Sequence, residues 1–215
     1  SPDFNFKALL GGNIRRDYSS LITATTNGGL ALPGLYALTN TKNSLNPPEE
    51  SQTLRQVNGI FAGTTLTWRK MLTLDATIRR DQSSTLPAAN NTYYYPSVSG
   101  GFVFSELLKN YTWLSYGKLR ASWASVGADA PPLSIQDTYV VNPAINGVAQ
   151  SAVAHTRNNP DLKPELTHSS EVGLELSFFH NRLGLDATYY NTNTFNEILP
   201  VNVSTSTGYD YRYLN

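Results

Sequence analysis

Three histidines, His155, His168 and His180, and four carboxylates, Asp75, Glu171, Glu175 and Asp186, are the side chains of this chain that could do chemistry. A zinc site needs such ligands at recurrent short spacings. None of the three histidines has a partner in that pattern, so they read as two solvated loop or strand-end residues and one turn residue. Glu171 and Glu175 share a strand face with one residue of that face between them. A glycosidase holds two carboxylates about 5–10 Å apart across a cleft. Nothing marks a cleft here, and the same charges suit a hydrated lining. No Gly-x-Ser-x-Gly elbow and no phosphate-cradling glycine loop is present. Gly11-Gly12 and Gly100-Gly101 fall inside strand patterns, where glycine marks a bulge or close packing. With no Cys, disulfides, thiolate metal sites and thiol nucleophiles are excluded. The expectation is a protein that is not an enzyme and carries no metal or cofactor.

The elements that hold these residues explain them better. Leu72, Leu74, Ala76 and Ile78 interleave with Thr73, Asp75, Thr77 and Arg79. Val172, Leu174, Leu176 and Phe178 interleave with Glu171, Gly173, Glu175 and Ser177. Successive strand side chains point to opposite faces, so each such strand has one apolar and one charged face. The alternation predicts strands at about 3–16, 55–68, 71–81, 92–105, 117–128, 166–179 and 182–197. Soluble strands average about five to six residues, whereas a membrane strand needs about 9–11. The gaps run long, short, medium, short, long, short. The tight ones, at Arg69-Lys70, 106–116 and His180-Asn181, all fall at one end. Long loops of about 17–54 and 129–165 fall at the other. That rhythm predicts an all-β fold, a transmembrane antiparallel β-barrel wall segment of about seven long strands belonging to a larger barrel. A short helical turn is expected near Ser105-Glu106-Leu107-Leu108.

Composition agrees. Only 15% of the 215 residues are charged, and the sixteen basic and sixteen acidic side chains cancel. No net field recruits nucleic acid, which is not expected as a partner. Thirteen Tyr suit surfaces with one apolar and one wet side. A single Met argues against an adaptable Met-lined groove. No run of eighteen apolar residues predicts a membrane helix, and no signal peptide opens the chain. Both ends read as cut through strands: Ser1-Pro2-Asp3-Phe4 enters one, and the segment from Gly208 to Asn215 starts another. The expectation is an internal barrel piece, without a plug, that does not fold alone.

In that frame Leu72, Leu74, Ile78, Leu119, Trp123, Leu174, Leu176 and Leu185 are expected to face lipid. Asp75, Arg79, Lys118, Arg120, Glu171, Glu175 and Asp186 are expected to face the lumen. Trp68 and Trp113, beside short turns, fit an interfacial aromatic girdle. Tyr36, Tyr139, His155 and Arg157 on the long loops are the candidates for ligand contact, or else ordinary loop residues.

Several segments, in order, resemble the C-terminal barrel of the SusC/RagA family, the TonB-linked outer-membrane transporters of Bacteroidetes. They are Leu74-Asp75-Ala76-Thr77-Ile78-Arg79-Arg80-Asp81, Tyr95-Pro96-Ser97-Val98-Ser99-Gly100-Gly101 and Leu119-Arg120-Ala121-Ser122-Trp123. Asn159-Pro160-Asp161-Leu162-Lys163-Pro164-Glu165 follows, then Gly173-Leu174-Glu175 through Asn181-Arg182-Leu183, Tyr189-Tyr190 and Ser206-Thr207-Gly208-Tyr209. Residues 1–56 match less distinctly. The resemblance implies a wide barrel blocked by a plug and located in the cell outer membrane. It implies energy from the TonB complex through that plug, a SusD-like surface lipoprotein as partner, and import of glycans or peptides. The competing reading is a secreted carbohydrate-binding or adhesive β-protein that stacks sugars on its Tyr-rich loops. In that protein a second sheet would have to cover the apolar face.

Overall fold

The computed structural model describes residues 3–215. Ser1 and Pro2, expected at the entry of the first strand, lie outside the described residues. Seven strands form one antiparallel sheet: β1 (Phe4–Thr23), β2 (Glu49–Trp68), β3 (Leu72–Ser83), β4 (Thr92–Phe102), β5 (Leu114–Ala128), β6 (Glu165–Phe178) and β7 (Leu183–Phe195). Their spatial order is their sequence order, so each inner strand pairs with the wall strands before and after it, and β1 and β7 lie at the two edges. The shortest, β4, has 11 residues. At about 3.4 Å per residue and a tilt of about 40°, that length covers about 28 Å, the thickness of a hydrocarbon core. Among the described residues no helix is long and apolar enough to cross a membrane. The wall does not close within this chain.

β1 and β2 run further than their alternation predicts. The pairing continues without a shift from Phe4↔Trp68 to Thr23↔Glu49. Its far end, from Asp17 to Thr23 against Glu49 to Arg55, is rich in Ser, Thr and Glu and carries no clean apolar face. The backbone ladder nevertheless continues there, because cross-strand hydrogen bonds do not depend on side-chain pattern. The first loop is accordingly 24–48 rather than about 17–54, and it contains a small pairing of Asn27–Leu30 with Thr41–Asn43.

The short connections share one end of the wall. Arg69 and Lys70 turn β2 into β3 with φ of 49° and 59°, closed by the Met71 amide on the Trp68 carbonyl at 2.9 Å. Two successive left-handed residues match the twist of a tight hairpin, a geometry that usually selects Asn-Gly. Phe179, His180 and Asn181 are left-handed as well, and the Arg182 amide reaches the Phe178 carbonyl at 3.0 Å. Between β4 and β5 the chain makes a 3-10 turn at Phe104–Leu107, close to the expected helical turn.

At the opposite end the connections are long and fold over one another. Tyr139–Ile145 pairs with Val148–Val153. Thr156–Arg157 runs parallel to Tyr211–Leu214, which pairs with Leu199–Asn202. The main buried cluster sits here, at the loop end of the wall: Leu86, Ala130, Leu162 and Ile198 from the connections pack around Tyr93 at the start of β4.

Candidate functional site

The site is defined by the two faces of the wall and by the loops at its end. Because directly paired residues share a face, the registers sort the side chains. Trp68↔Leu72↔Phe102, Leu66↔Leu74↔Gly100 and Ala62↔Ile78↔Pro96 fall on one face. The same face continues through Phe102↔Leu119↔Leu174, Val98↔Trp123 and Leu176↔Leu185. Leu72, Leu74, Ile78, Leu119, Trp123, Leu174, Leu176 and Leu185 therefore form one continuous apolar surface. No second sheet covers it among the described residues, and Leu74, Ile78, Leu119 and Leu185 stay exposed.

The opposite face carries charge. Asp75 pairs with Ser99, Arg79 with Tyr95, Lys118 with Glu175, Glu175 with Asp186, and Glu171 with Ser122. Arg120 Nη2 donates to Asp186 Oδ1 at 2.9 Å and to Thr188 Oγ1 at 2.6 Å, with Glu171 Oε1 3.9 Å from its Nε. That guanidinium crosses directly above Gly173, where any Cβ would lie 2.3 Å from Nε. The Thr65 hydroxyl donates to Asp75 at 2.6 Å. Arg79 bridges Asp81 at 2.9 Å and Asn13 at 2.8 Å and lies over the Phe61 ring, while the Tyr95 hydroxyl donates to Asp81. Asp75, Arg79, Arg120 and Asp186 are thus held by partners along a half-exposed surface, while Lys118 and Glu175 face each other only in register.

Aromatic side chains gather at the short-turn end. Trp68 stacks on Phe4 with centroids 6.4 Å apart, and Arg69 sits over its ring at 5.3 Å. Trp113 stacks on Phe178 at 5.8 Å and meets Tyr111 edge-on.

The four loop candidates do not converge. Tyr36 is 89% exposed in the first loop. Tyr139 begins the exposed hairpin of the 129–164 loop. His155 and Arg157 do come together with the last segment of the chain. His155 Nδ1 lies 2.7 Å from Asp210 Oδ2, and the Arg157 guanidinium lies over Tyr209.

Sequence reasoning missed the device that anchors the large loop. The Asp129 carboxylate, at the end of β5, accepts from Arg55 Nε at 2.9 Å and from Thr85 Oγ1 at 3.0 Å, and also from Arg55 Nη2 and the Ser83 hydroxyl. Its other end is held through the Asn159 to Glu165 segment. Leu162 is fully buried, the Asn90 amide donates to its carbonyl at 3.2 Å, and Glu165 Oε1 accepts from the Ile198 amide at 2.6 Å. The motif quoted above is thus a latch for the loops. Asp129 had only its place after a strand to distinguish it, and Leu162 only the motif.

Comparison with known proteins fits this geometry. A family model described as "TonB dependent receptor-like, beta-barrel" matches residues 2–215. The chain is 28% identical over 165 residues to TonB-dependent receptor P26 of Formosa agariphila, covering 74% of this chain and 17% of that protein. It is 25% identical over 211 residues to TonB-dependent receptor P39 of the same organism, covering 94% and 20%. The chain therefore spans about a fifth of the length of these relatives. Among solved structures, the RagAB peptide transporter superposes on the whole chain and on 24% of its own, with a TM-score of 0.84 at 24% identity. The RagAB peptide importer in its "open-open" state gives 0.79 at 25% identity over the same shares. The ferric enterobactin receptor PfeA from Pseudomonas aeruginosa gives 0.52 at 18% identity, covering 99% of this chain and 31% of that one. The resemblance to SusC/RagA thus holds along the wall and its loops. Matched almost from end to end by one family's model, the chain belongs to the TonB dependent receptor-like, beta-barrel family.

Proposed function

We propose that this chain forms part of the wall and the extracellular loops of an outer-membrane importer that takes up nutrients, glycans or peptides, with energy from TonB. The observation that carries this reading is the sorting of side chains by register. One face runs apolar and uncovered over membrane-length strands, while Asp75, Arg79, Lys118, Arg120, Glu171, Glu175 and Asp186 lie on the other. In a barrel the first face meets lipid and the second a hydrated lumen. Trp68 and Trp113 then sit at the periplasmic interface, and the loop cap faces outside.

The remainder of the barrel and a plug would complete the pore, the TonB complex would act through that plug, and a SusD-like lipoprotein would close the outer end. Peptide uptake has the support of the RagAB structures, which are those of a peptide transporter and importer. Tyr36, Tyr139, His155 and Arg157 are the cargo-contact candidates, His155 and Arg157 acting together. No catalytic step is assigned. The test is uptake of labelled oligopeptide and oligosaccharide pools by cells with and without the full-length protein. Uptake of one pool should require the protein and stop when a protonophore collapses the proton-motive force. Uptake indifferent to the protonophore, or recovery of the protein from the secreted fraction, would overturn the proposal.

A further inference from the structure

The apolar face of the wall carries almost no formal charge. Across all seven strands, the positions that the registers put on that face hold only three residues of the Asp, Glu, Lys and Arg types: Arg16, Arg80 and Glu50. Glu50 lies at the tip of the β1–β2 hairpin, opposite Ile22. The two arginines instead mark a border. Arg80 follows Leu72, Leu74, Ala76 and Ile78 up β3, and Arg16 follows the apolar column from Phe4 to Ile14 up β1. Both stand at the loop end of the unbroken apolar columns; beyond Arg16 the face turns mixed, with Tyr18 and Leu54 followed by Ser20 and Gln52.

Arg16 pairs directly with Gln56, and Arg80 with Ile60 and with Tyr94, whose ring is exposed; the next level of the face beyond Arg80 holds Asn58 and Gln82, which are amides. Arg16 Nε donates to Gln56 Oε1 at 2.8 Å, a neutral partner. Arg80 has no hydrogen bond, ion pair or ring contact among the described residues, and no carboxylate shares its face at this level. On the other face, by contrast, Arg15, Arg55, Arg79 and Arg120 each meet an aspartate. The protein neutralises its arginines on one face and leaves two unneutralised on the other, at the edge of the surface that would meet hydrocarbon.

We infer that Arg16 and Arg80 bind the phosphate groups of lipid headgroups in the outer leaflet. The inference rests on the apolar face being the lipid-facing one. A guanidinium offers paired N–H donors that match phosphate oxygens. Basic side chains at a membrane border gain from anionic headgroups. The amides and the Tyr94 hydroxyl supply neutral polar groups around the two charges, and the apolar columns below hold the acyl chains against the wall. Charge complementarity selects this occupant: a face with two uncompensated arginines and no carboxylate between them fits an anion.

The test uses the full-length protein purified in zwitterionic detergent, with diphosphoryl lipid A as probe and thermal unfolding as readout. Lipid A should raise the midpoint in the unaltered protein, whereas phosphatidylcholine or inorganic phosphate at equal concentration should not. The double variant Arg16→Gln/Arg80→Gln should bind lipid A about twenty-fivefold more weakly, at about a factor of five for each arginine. Lys42→Gln on the first loop should change nothing. Should the double variant fail to assemble, Arg16→Lys/Arg80→Lys keeps the charge and should retain most of the response. Raising NaCl from about 50 to about 500 mM should weaken binding to the unaltered protein. A lipid A response equal in the neutral variant, insensitive to salt, or matched by inorganic phosphate overturns the inference. A protein that needs no detergent and stays monomeric overturns the membrane reading itself, a result distinct from all of these.

Discussion

The wall and the loop cap are held together by different means. On the apolar face of the wall most side chains stay exposed or half-exposed, and Phe6, Leu10, Ile14 and Leu185 are all more than half exposed. What joins its strands is the backbone ladder, unbroken over twenty residues between β1 and β2. The cap is assembled as a soluble protein is, around Leu86, Tyr93, Ala130, Leu162 and Ile198, with polar groups tied to Asp129. The proposed membrane setting accounts for the difference. A wall in hydrocarbon gains nothing from hiding leucine but must satisfy every amide, whereas loops in water need a core. Substitutions should therefore have opposite logic in the two regions.

The sharpest way to break the contrast is Leu174→Arg. An arginine at mid-wall costs about 2–4 kcal/mol in lipid, so the full-length protein should lose most of its assembled, protease-resistant form. Glu175→Arg, one residue along on the other face, should leave assembly near normal. Equal damage from both would mean the two faces are misassigned. Leu162→Ala comes next. It empties a fully buried site and should cost about 2–3 kcal/mol, at the low end for such changes because loops can settle into the space. Its signature is local: residues 129–164 should gain hydrogen exchange while the wall amides stay protected.

Asp129→Ala removes the acceptor shared by Arg55, Ser83 and Thr85. Arg55 keeps partial access to water, so the expected loss is about 1–2 kcal/mol, read as earlier proteolytic nicking between Asp129 and Leu162. The smallest effect belongs to His155→Ala. The His155 side chain is 84% exposed, and an exposed pair contributes about 0–1 kcal/mol. Stability should barely change. A large drop would show that the clip to Asp210 holds the last segment in place.

The wall was legible in the sequence because strand alternation has a period of two and here runs over long stretches. Leu72 to Arg79 and Val172 to Phe178 gave both the strands and their faces. The upper halves of β1 and β2 were not legible, since Ser19, Ser20, Thr23 and Ser51 look like loop residues and only the backbone pairing extends that far. The cap was legible least. Its buried residues come from four stretches with no shared period, and nothing local marks Leu86 or Ile198 as core. The Asn159 to Glu165 motif stood out as a pattern, but its role as a latch depends on Asn90 and Ile198, far away along the chain.

Strand order equal to sequence order makes the wall a one-dimensional array, in which each hairpin depends on its two neighbours alone. Removing β6 and β7 together would leave every pairing from β1 to β5 in register, and adding a hairpin after β7 would disturb none. A lineage could therefore change the bore of such a pore in steps of two strands without redesigning what remains. The loops, latched to one another across the top, would set the limit on which hairpins can be exchanged.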